Sequence, residues 1–198
     1  TSLPNMNLSF TLGNQLPGDR YTLGYNAAIS YRNETTFYED LQSNNIYRKS
    51  PDPTVNELRP DALRRGSRGE NSALLSGLVG LAVKTDKSKL KFNALHIQNG
   101  VSRSAEYIVN NIIISSNTTL RDVLDYTERS ITNFMLGGEH LLEGPQLEIN
   151  WKLSPTFSRI NDKDIRDAPF TDEEGILSIQ PSEGGDPQRL WRFLDEQN

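Results

Sequence analysis

Near its start the chain places apolar side chains on every second position. Met6, Leu8, Phe10 and Leu12 alternate with Asn5, Asn7, Ser9, Thr11 and Gly13. Leu23, Tyr25, Ala27, Ile29 and Tyr31 alternate with Thr22, Gly24, Asn26, Ala28, Ser30 and Arg32. Much later, Leu147, Ile149, Trp151 and Leu153 alternate with Gln146, Glu148, Asn150, Lys152 and Ser154. A period of two predicts strands with one apolar face. Two further strands are less one-sided. Ala73, Leu75, Val79, Leu81 and Val83 share a face, with Leu74 and Leu78 opposite; Leu90, Phe92 and Ala94 share a face, with Leu95 and Ile97 opposite. In Ser130–Leu142 the row Thr132, Phe134, Leu136 and Leu142 is slightly favoured over Ile131, Met135 and Leu141. Pro155 has no N–H for a ladder, so regular pairing is expected to weaken there.

The connections have a rhythm of their own. Asn5–Asn14 passes through Gln15–Arg20 to Tyr21–Asn33, and a long polar stretch follows to about Glu70. Ala73–Lys84 turns at Thr85–Ser88 into Lys89–Gln98, and a second long polar excursion follows. Ser130–Leu142 turns at Glu143–Pro145 into Gln146–Phe157, and a third polar segment ends the sequence. Tight turns at one end and large loops at the other are the layout of an antiparallel, up-and-down transmembrane β-barrel. The pattern therefore predicts an all-β chain of about six barrel strands, with short periplasmic turns and long extracellular loops.

Composition leaves two classes open. An apolar fraction of 35% and a mean hydropathy of −0.60 are low for 198 residues around one large core. They suit a barrel, which needs apolar residues at every second position only. They also suit a soluble extracellular β-sandwich that binds glycans or proteins, which requires two apolar inner faces and loops of similar size at both ends. No run approaches the roughly 18 apolar residues of a membrane helix. The net charge of −5 argues against nucleic acid as a partner. The absence of cysteine excludes thiolate metal sites, disulfides and cysteine catalysis. Thr1 opens neither a basic n-region nor an apolar h-region, so the chain is expected to be either soluble and cytoplasmic or an internal piece of something longer. The ragged ends favour the second, with residues 1–198 as one partial domain.

Four stretches carry a resemblance. They are Arg121-Asp-Val-Leu-Asp-Tyr-Thr-Glu-Arg-Ser130, Leu136-Gly-Gly-Glu-His140, Leu147-Glu-Ile-Asn-Trp-Lys-Leu-Ser154 and Asp162-Lys-Asp-Ile-Arg-Asp167. Together they resemble the barrel of TonB-dependent outer-membrane receptors, and Leu23-Gly-Tyr25 to Ser30-Tyr-Arg32 looks like a preceding hairpin of that family. The resemblance implies a share of a plugged barrel of about 22 strands in a bacterial outer membrane. It also implies uptake of a scarce solute, such as an iron chelate, cobalamin or an oligosaccharide. Its expected partners are the lipid bilayer, the receptor's own plug domain, and the inner-membrane TonB complex through a box preceding the plug. Box, plug and the aromatic-ended final strand are not among these residues, which places the segment in the first half or middle of such a barrel.

Candidate chemistry is sparse. Tyr47-Arg-Lys49 with Arg59, Arg64, Arg65 and Arg68 forms a basic cluster suited to an anionic ligand or lipopolysaccharide phosphate, but Asp52, Glu57, Asp61 and Glu70 interleave with it, so a solvated loop is the plainer expectation. Asp162, Asp164, Asp167, Asp172, Glu173 and Glu174 lack the spacing of a calcium loop, so a hydrated acidic loop is expected. His96 and His140 have no second ligand at metal-binding spacing, and Asn7, Asn33 and Asn117 open glycosylation sequons of little weight. Tyr21, Tyr25, Tyr31, Tyr126 and Trp151 suit interfacial girdles or ordinary cross-strand pairs. Gln188–Glu196, with Leu190, Trp191, Phe193 and Leu194, reads as a short amphipathic helix. Without a nucleophile–base grouping or phosphate loop, no enzyme, cofactor or metal is expected.

Overall fold

The computed structural model describes residues 4–42, 45–112, 118–142, 144, 147–173, 176–179 and 187–197. They form one antiparallel sheet of ten strands: β1 (Met6–Pro17), β2 (Thr22–Gln42), β3 (Ile46–Lys49), β4 (Leu58–Lys84), β5 (Ser88–Asn111), β6 (Thr118–Leu142), β7 (Leu147–Leu153), β8 (Thr156–Glu173), β9 (Ile176–Ser178) and β10 (Gln188–Gln197). The order across the sheet is β1-β2-β4-β5-β6-β8-β10; β3 also pairs with β4, β7 with β6, and β9 with β8. The sheet is up-and-down and open, with β1 and β10 as its unjoined edges. Among the described residues no second sheet faces the first, so the two packed layers of a sandwich are absent.

Directly paired residues lie on the same face of a sheet, so the register sorts every side chain. One face, called A, carries Leu8, Phe10 and Leu12 beside Tyr31, Ile29 and Ala27, and then Leu75, Val79 and Leu81. It continues through Phe92 and Ala94 to Leu136 and Phe134, and ends at Leu153. The register thus selects the Thr132, Phe134, Leu136 and Leu142 row for face A. Face B carries the polar set, including Asn26, Lys91, Asn150 and Lys152. Four of the stray apolar residues of face B meet in pairs, Leu78 with Leu95 and Ile97 with Ile131, whereas Leu74 lies between Arg32 and Asn99.

A single layer has little interior. Among the described residues the buried apolar side chains are Ala105, Val109 and Pro169, all on face B, whereas Leu8 and Phe10 are 62% and 61% exposed on face A. The tight turns lie where expected. Gly18 N donates to the Tyr21 carbonyl at 2.9 Å, and Thr85 N to that of Ser88 at 2.7 Å. The third turn lies mostly outside the described residues.

Two expectations are corrected. The long polar stretches are not mainly loops: β2 continues to Gln42, β4 begins at Leu58, β5 runs to Asn111 and β6 starts at Thr118. Beyond the apolar belt, alternation disappears because neither face needs to be greasy there. Cross-strand ion pairs and backbone ladders carry the strands onward instead. Likewise Gln188–Glu196 is strand β10 rather than a helix. A nine-residue helix is marginal in water, while β8 offers an open backbone edge. The new strand is pinned there by Arg189–Asp164 (3.0 Å), Arg192–Asp162 (2.9 Å) and Arg159–Asp195 (2.6 Å). Pro155 interrupts pairing as expected, between β7 and β8. The Asn133 amide bridges the gap, donating to Thr156 Oγ1 at 2.8 Å and Ser154 Oγ at 3.1 Å.

Candidate functional site

Three surfaces carry chemistry. The first is the face-A belt, whose level is not constant across the ladder. Leu23, Val83, Leu90 and Gly138 are level with one another, yet the greasy row of β6 and β7 continues to Leu142 and Leu147, four residues past Gly138. At the other margin Tyr31 and Leu75 are level with Gln98 and Ser130, so on β5 the belt ends at Ala94, four residues short of Gln98. Both margins therefore slide toward the turn end. Along β4 the belt runs from Ala73 to Val83, about 33 Å at 3.3 Å per residue and about 25 Å in height if tilted near 40°.

Aromatic residues sit within the belt and near its margins. Trp151 lies over Gly138, where an added Cβ would come 2.4 Å from its Nε1. That Nε1 donates to His140 Nε2 at 3.0 Å, and His140 Nδ1 lies 3.0 Å from Ser88 Oγ. In this tautomer Nδ1 carries the proton and donates to the serine. Tyr21 lies in the first tight turn and is 57% exposed. Tyr25 is inside the belt, Tyr31 near its outer margin and Tyr126 beyond it. His96 is also on face A, 2.8 Å from Thr132 Oγ1.

The second surface is a cleft on face B near the turns, about 590 Å³ in volume, lined by Lys91, Met135, Gly137, Glu139, Asn150 and Lys152 among others. Lys91 Nζ binds Glu139 at 2.6 Å, and Asn150 Nδ2 donates to Glu148 at 3.0 Å. Farther along β4, Asn26 and Asn93 converge over Gly80, where a Cβ would lie 2.1 Å and 2.7 Å from their carbonyl oxygens. This floor is polar and internally paired, suited to a wet or protein-filled space.

The third surface is the outer half of face B, where charges form a ladder. Arg103 bridges Glu70 and Asp125, each at 3.1 Å. Arg121 grips Asp167 through two nitrogens at 3.0 and 3.2 Å, and Asp162 accepts from Thr127 at 2.8 Å as well as from Arg192. On face A just outside the belt, Glu128 accepts from Lys163 at 2.7 Å and from the Tyr126 hydroxyl at 2.8 Å. Lys163 and then Tyr126 hold the Glu128 carboxyl below its ordinary range, and Glu128 in turn raises the Tyr126 phenol. The adjacent Arg166, with Arg189, likewise lowers Asp164.

The acidic run is thus spent on arginines. Asp162, Asp164 and Asp167 each face a different cation; the side chains of Asp172 and Glu173, and Glu174 altogether, lie outside the described residues. Among the described residues no group of three His, Asp or Glu has metal-binding geometry. The basic cluster is divided: Arg48 pairs with Asp61, Arg65 is exposed on face A, and Arg64 and Arg68 lie on face B. Asn7 is mid-strand, Asn33 is only 3% exposed, and Asn117 lies outside the described residues. Sequence reasoning missed the Arg103 and Arg121 ladders and the Trp151–His140 pair. Their signal is opposite charge or aromaticity at matched register, legible only once strand ends are known. No family model, curated protein or solved structure matches the chain.

Proposed function

We propose that the chain is part of the β-barrel of a TonB-dependent outer-membrane receptor. Face A meets lipid, and face B meets a plug and a scarce solute such as an iron chelate, cobalamin or an oligosaccharide, with energy supplied by the inner-membrane complex. The observation that carries this reading is the sliding belt. In a barrel whose strands tilt by 35–45°, a horizontal lipid layer crosses the hydrogen-bond ladder obliquely, by roughly one residue per strand. At the turn-end margin the slide from β2 to β7 is four residues, which has that size. The outer margin slides in the same direction, by four residues at β5 and by two at Phe157. A sheet with one face in water has no need of an oblique margin. The paired polar floor of face B supports an occupied, hydrated lumen, and the girdle-like places of Tyr21 and Tyr31 fit the same orientation.

The test is partitioning. The chain is refolded with and without lipid vesicles and floated on a density gradient. The expected result is co-flotation with protease-resistant strands, with aggregation when lipid and detergent are absent. A monodisperse, cooperatively melting product in plain buffer would instead favour the soluble glycan- or protein-binding alternative.

A further inference from the structure

Three arginines on the outer half of face B have no carboxylate partner among the described residues: Arg129, which is exposed, and Arg64 and Arg68. Arg103, Arg121 and Arg192 each hold a carboxylate. Arg64 and Arg68, on the same face, have none within ion-pair distance among the described residues. Each is laid over a tyrosine instead, Arg64 5.8 Å from the Tyr107 ring centre and Arg68 5.1 Å from that of Tyr38. The Nε atoms of both are buried and without a hydrogen-bond partner. Glu70, two residues from Arg68 on this face, is engaged by Arg103.

Between the two arginines lies Gly66, directly opposite Tyr107. A Cβ there would stand 1.9 Å from the Glu106 carbonyl oxygen, so only glycine lets β4 lie this close to β5. On β4 the same-face position between the two arginines consequently carries no side chain. On its other side the β2 ladder breaks between Tyr38 and Leu41, where Asp40 adopts a φ of 51°. Level with Arg64, across Val109, stand Thr119 and Thr171. Both are 3% exposed, and both hydroxyls are unpartnered. Four unpartnered polar atoms capable of donating therefore collect at one end of one face: two on cations held in fixed planes by aromatic rings, two on hydroxyls. Buried donors left unmade are costly, and oxyanions are the acceptors that planar guanidinium groups bind best.

We propose that Arg64 and Arg68, with Gly66 as the floor between them, form a binding site for a small solute bearing two or more oxyanion groups, carboxylate or phosphate. The Cα atoms of the two arginines are about 13 Å apart along the strand, so a multiply charged solute can engage both heads. This inference rests on face B being the solute-facing side.

The test is calorimetric titration of the chain, refolded in detergent micelles, with citrate, pyrophosphate and the uncharged trisaccharide raffinose. Saturable binding of the two anions, and none of raffinose, is expected. Arg64→Gln with Arg68→Gln should weaken anion binding by at least about tenfold, whereas the double lysine variant, which keeps both charges, should lose less. Arg59→Gln should change nothing. Circular dichroism checks that each variant keeps its strands. Should the glutamine pair unfold the chain, salt decides: wild-type affinity for pyrophosphate must fall steeply as ionic strength rises. Failure of either anion to bind, equal binding of raffinose, or anion binding that survives in the folded glutamine variant overturns the proposal. Failure of the membrane reading registers separately, as absence of vesicle flotation, and leaves the titration interpretable.

Discussion

The turn-end half and the outer half of the sheet are made from the same strands but use their faces differently. From Leu75 to Val83 strand β4 keeps its large side chains on face A except for Leu78, and face B is mixed. From Leu58 to Ser72 the same strand carries arginines on both faces, and its pairing is reinforced by ions on face B. The backbone ladder is continuous across the change, so hydrogen bonding does not distinguish the halves. On the proposed membrane reading, what distinguishes them is the solvent each face must meet. Where that solvent is hydrocarbon, side-chain identity is dictated at every second position. Where it is water, charge pairing at matched register is enough.

The sharpest way to break the comparison is to put a charge into the belt. Val79→Arg, at mid-belt on face A, should cost about 2–4 kcal/mol in a lipid-refolded chain, while Ile149→Arg, near the turn-end margin, should cost about 0–1 kcal/mol. Ala82→Arg on face B should be tolerated. Denaturant titrations in vesicles measure all three; equal costs at Val79 and Ala82 would erase the distinction between the faces.

A middle-sized effect is expected inside the belt, where Trp151 rests on Gly138. Gly138→Val would push a side chain into the Trp151 ring, break the bond from the indole to His140 and cost about 1–3 kcal/mol. Trp151 fluorescence should shift as the indole moves, and an unchanged spectrum would mean that the ring does not rest on this glycine.

The smallest effect belongs to the outer half and concerns pH. Glu128 has a lowered carboxyl pKa, so its contribution is present above the ordinary carboxylate range and is lost as pH falls through the folded value. Lys163 has a raised pKa, so its contribution is present below the ordinary lysine value and is lost as pH rises through the folded one. Melting of the Lys163→Met variant, compared with wild type across pH, should show the difference between these limits and its disappearance in acid. A pH-independent difference would assign the lysine to packing on Tyr126 instead.

The sequence made much of the belt half legible, because alternation is a local signal that needs only one strand at a time. Pro155 and the turns at Gln15–Arg20 and Thr85–Ser88 were readable for the same reason. The outer half was not, since Glu70, Arg103 and Asp125 are far apart in sequence and are joined only by register. Strand β10 was misread because Leu190, Phe193 and Leu194 satisfy a helical spacing, while the open edge of β8, which decides the matter, is absent from any local window. The divided fate of the basic cluster was hidden too. Only alternation extended through β4 separates Arg64 and Arg68 from Arg65.

Because the sheet is one layer thick, cohesion passes sideways from neighbour to neighbour, as in a zip fastener. Loss of order should begin at the selvedges, β1 and β10, and travel inward. The long hairpins β4–β5 and β5–β6 would be the last to part. Whatever seals the two free margins then governs the endurance of the whole more than any replacement inside it.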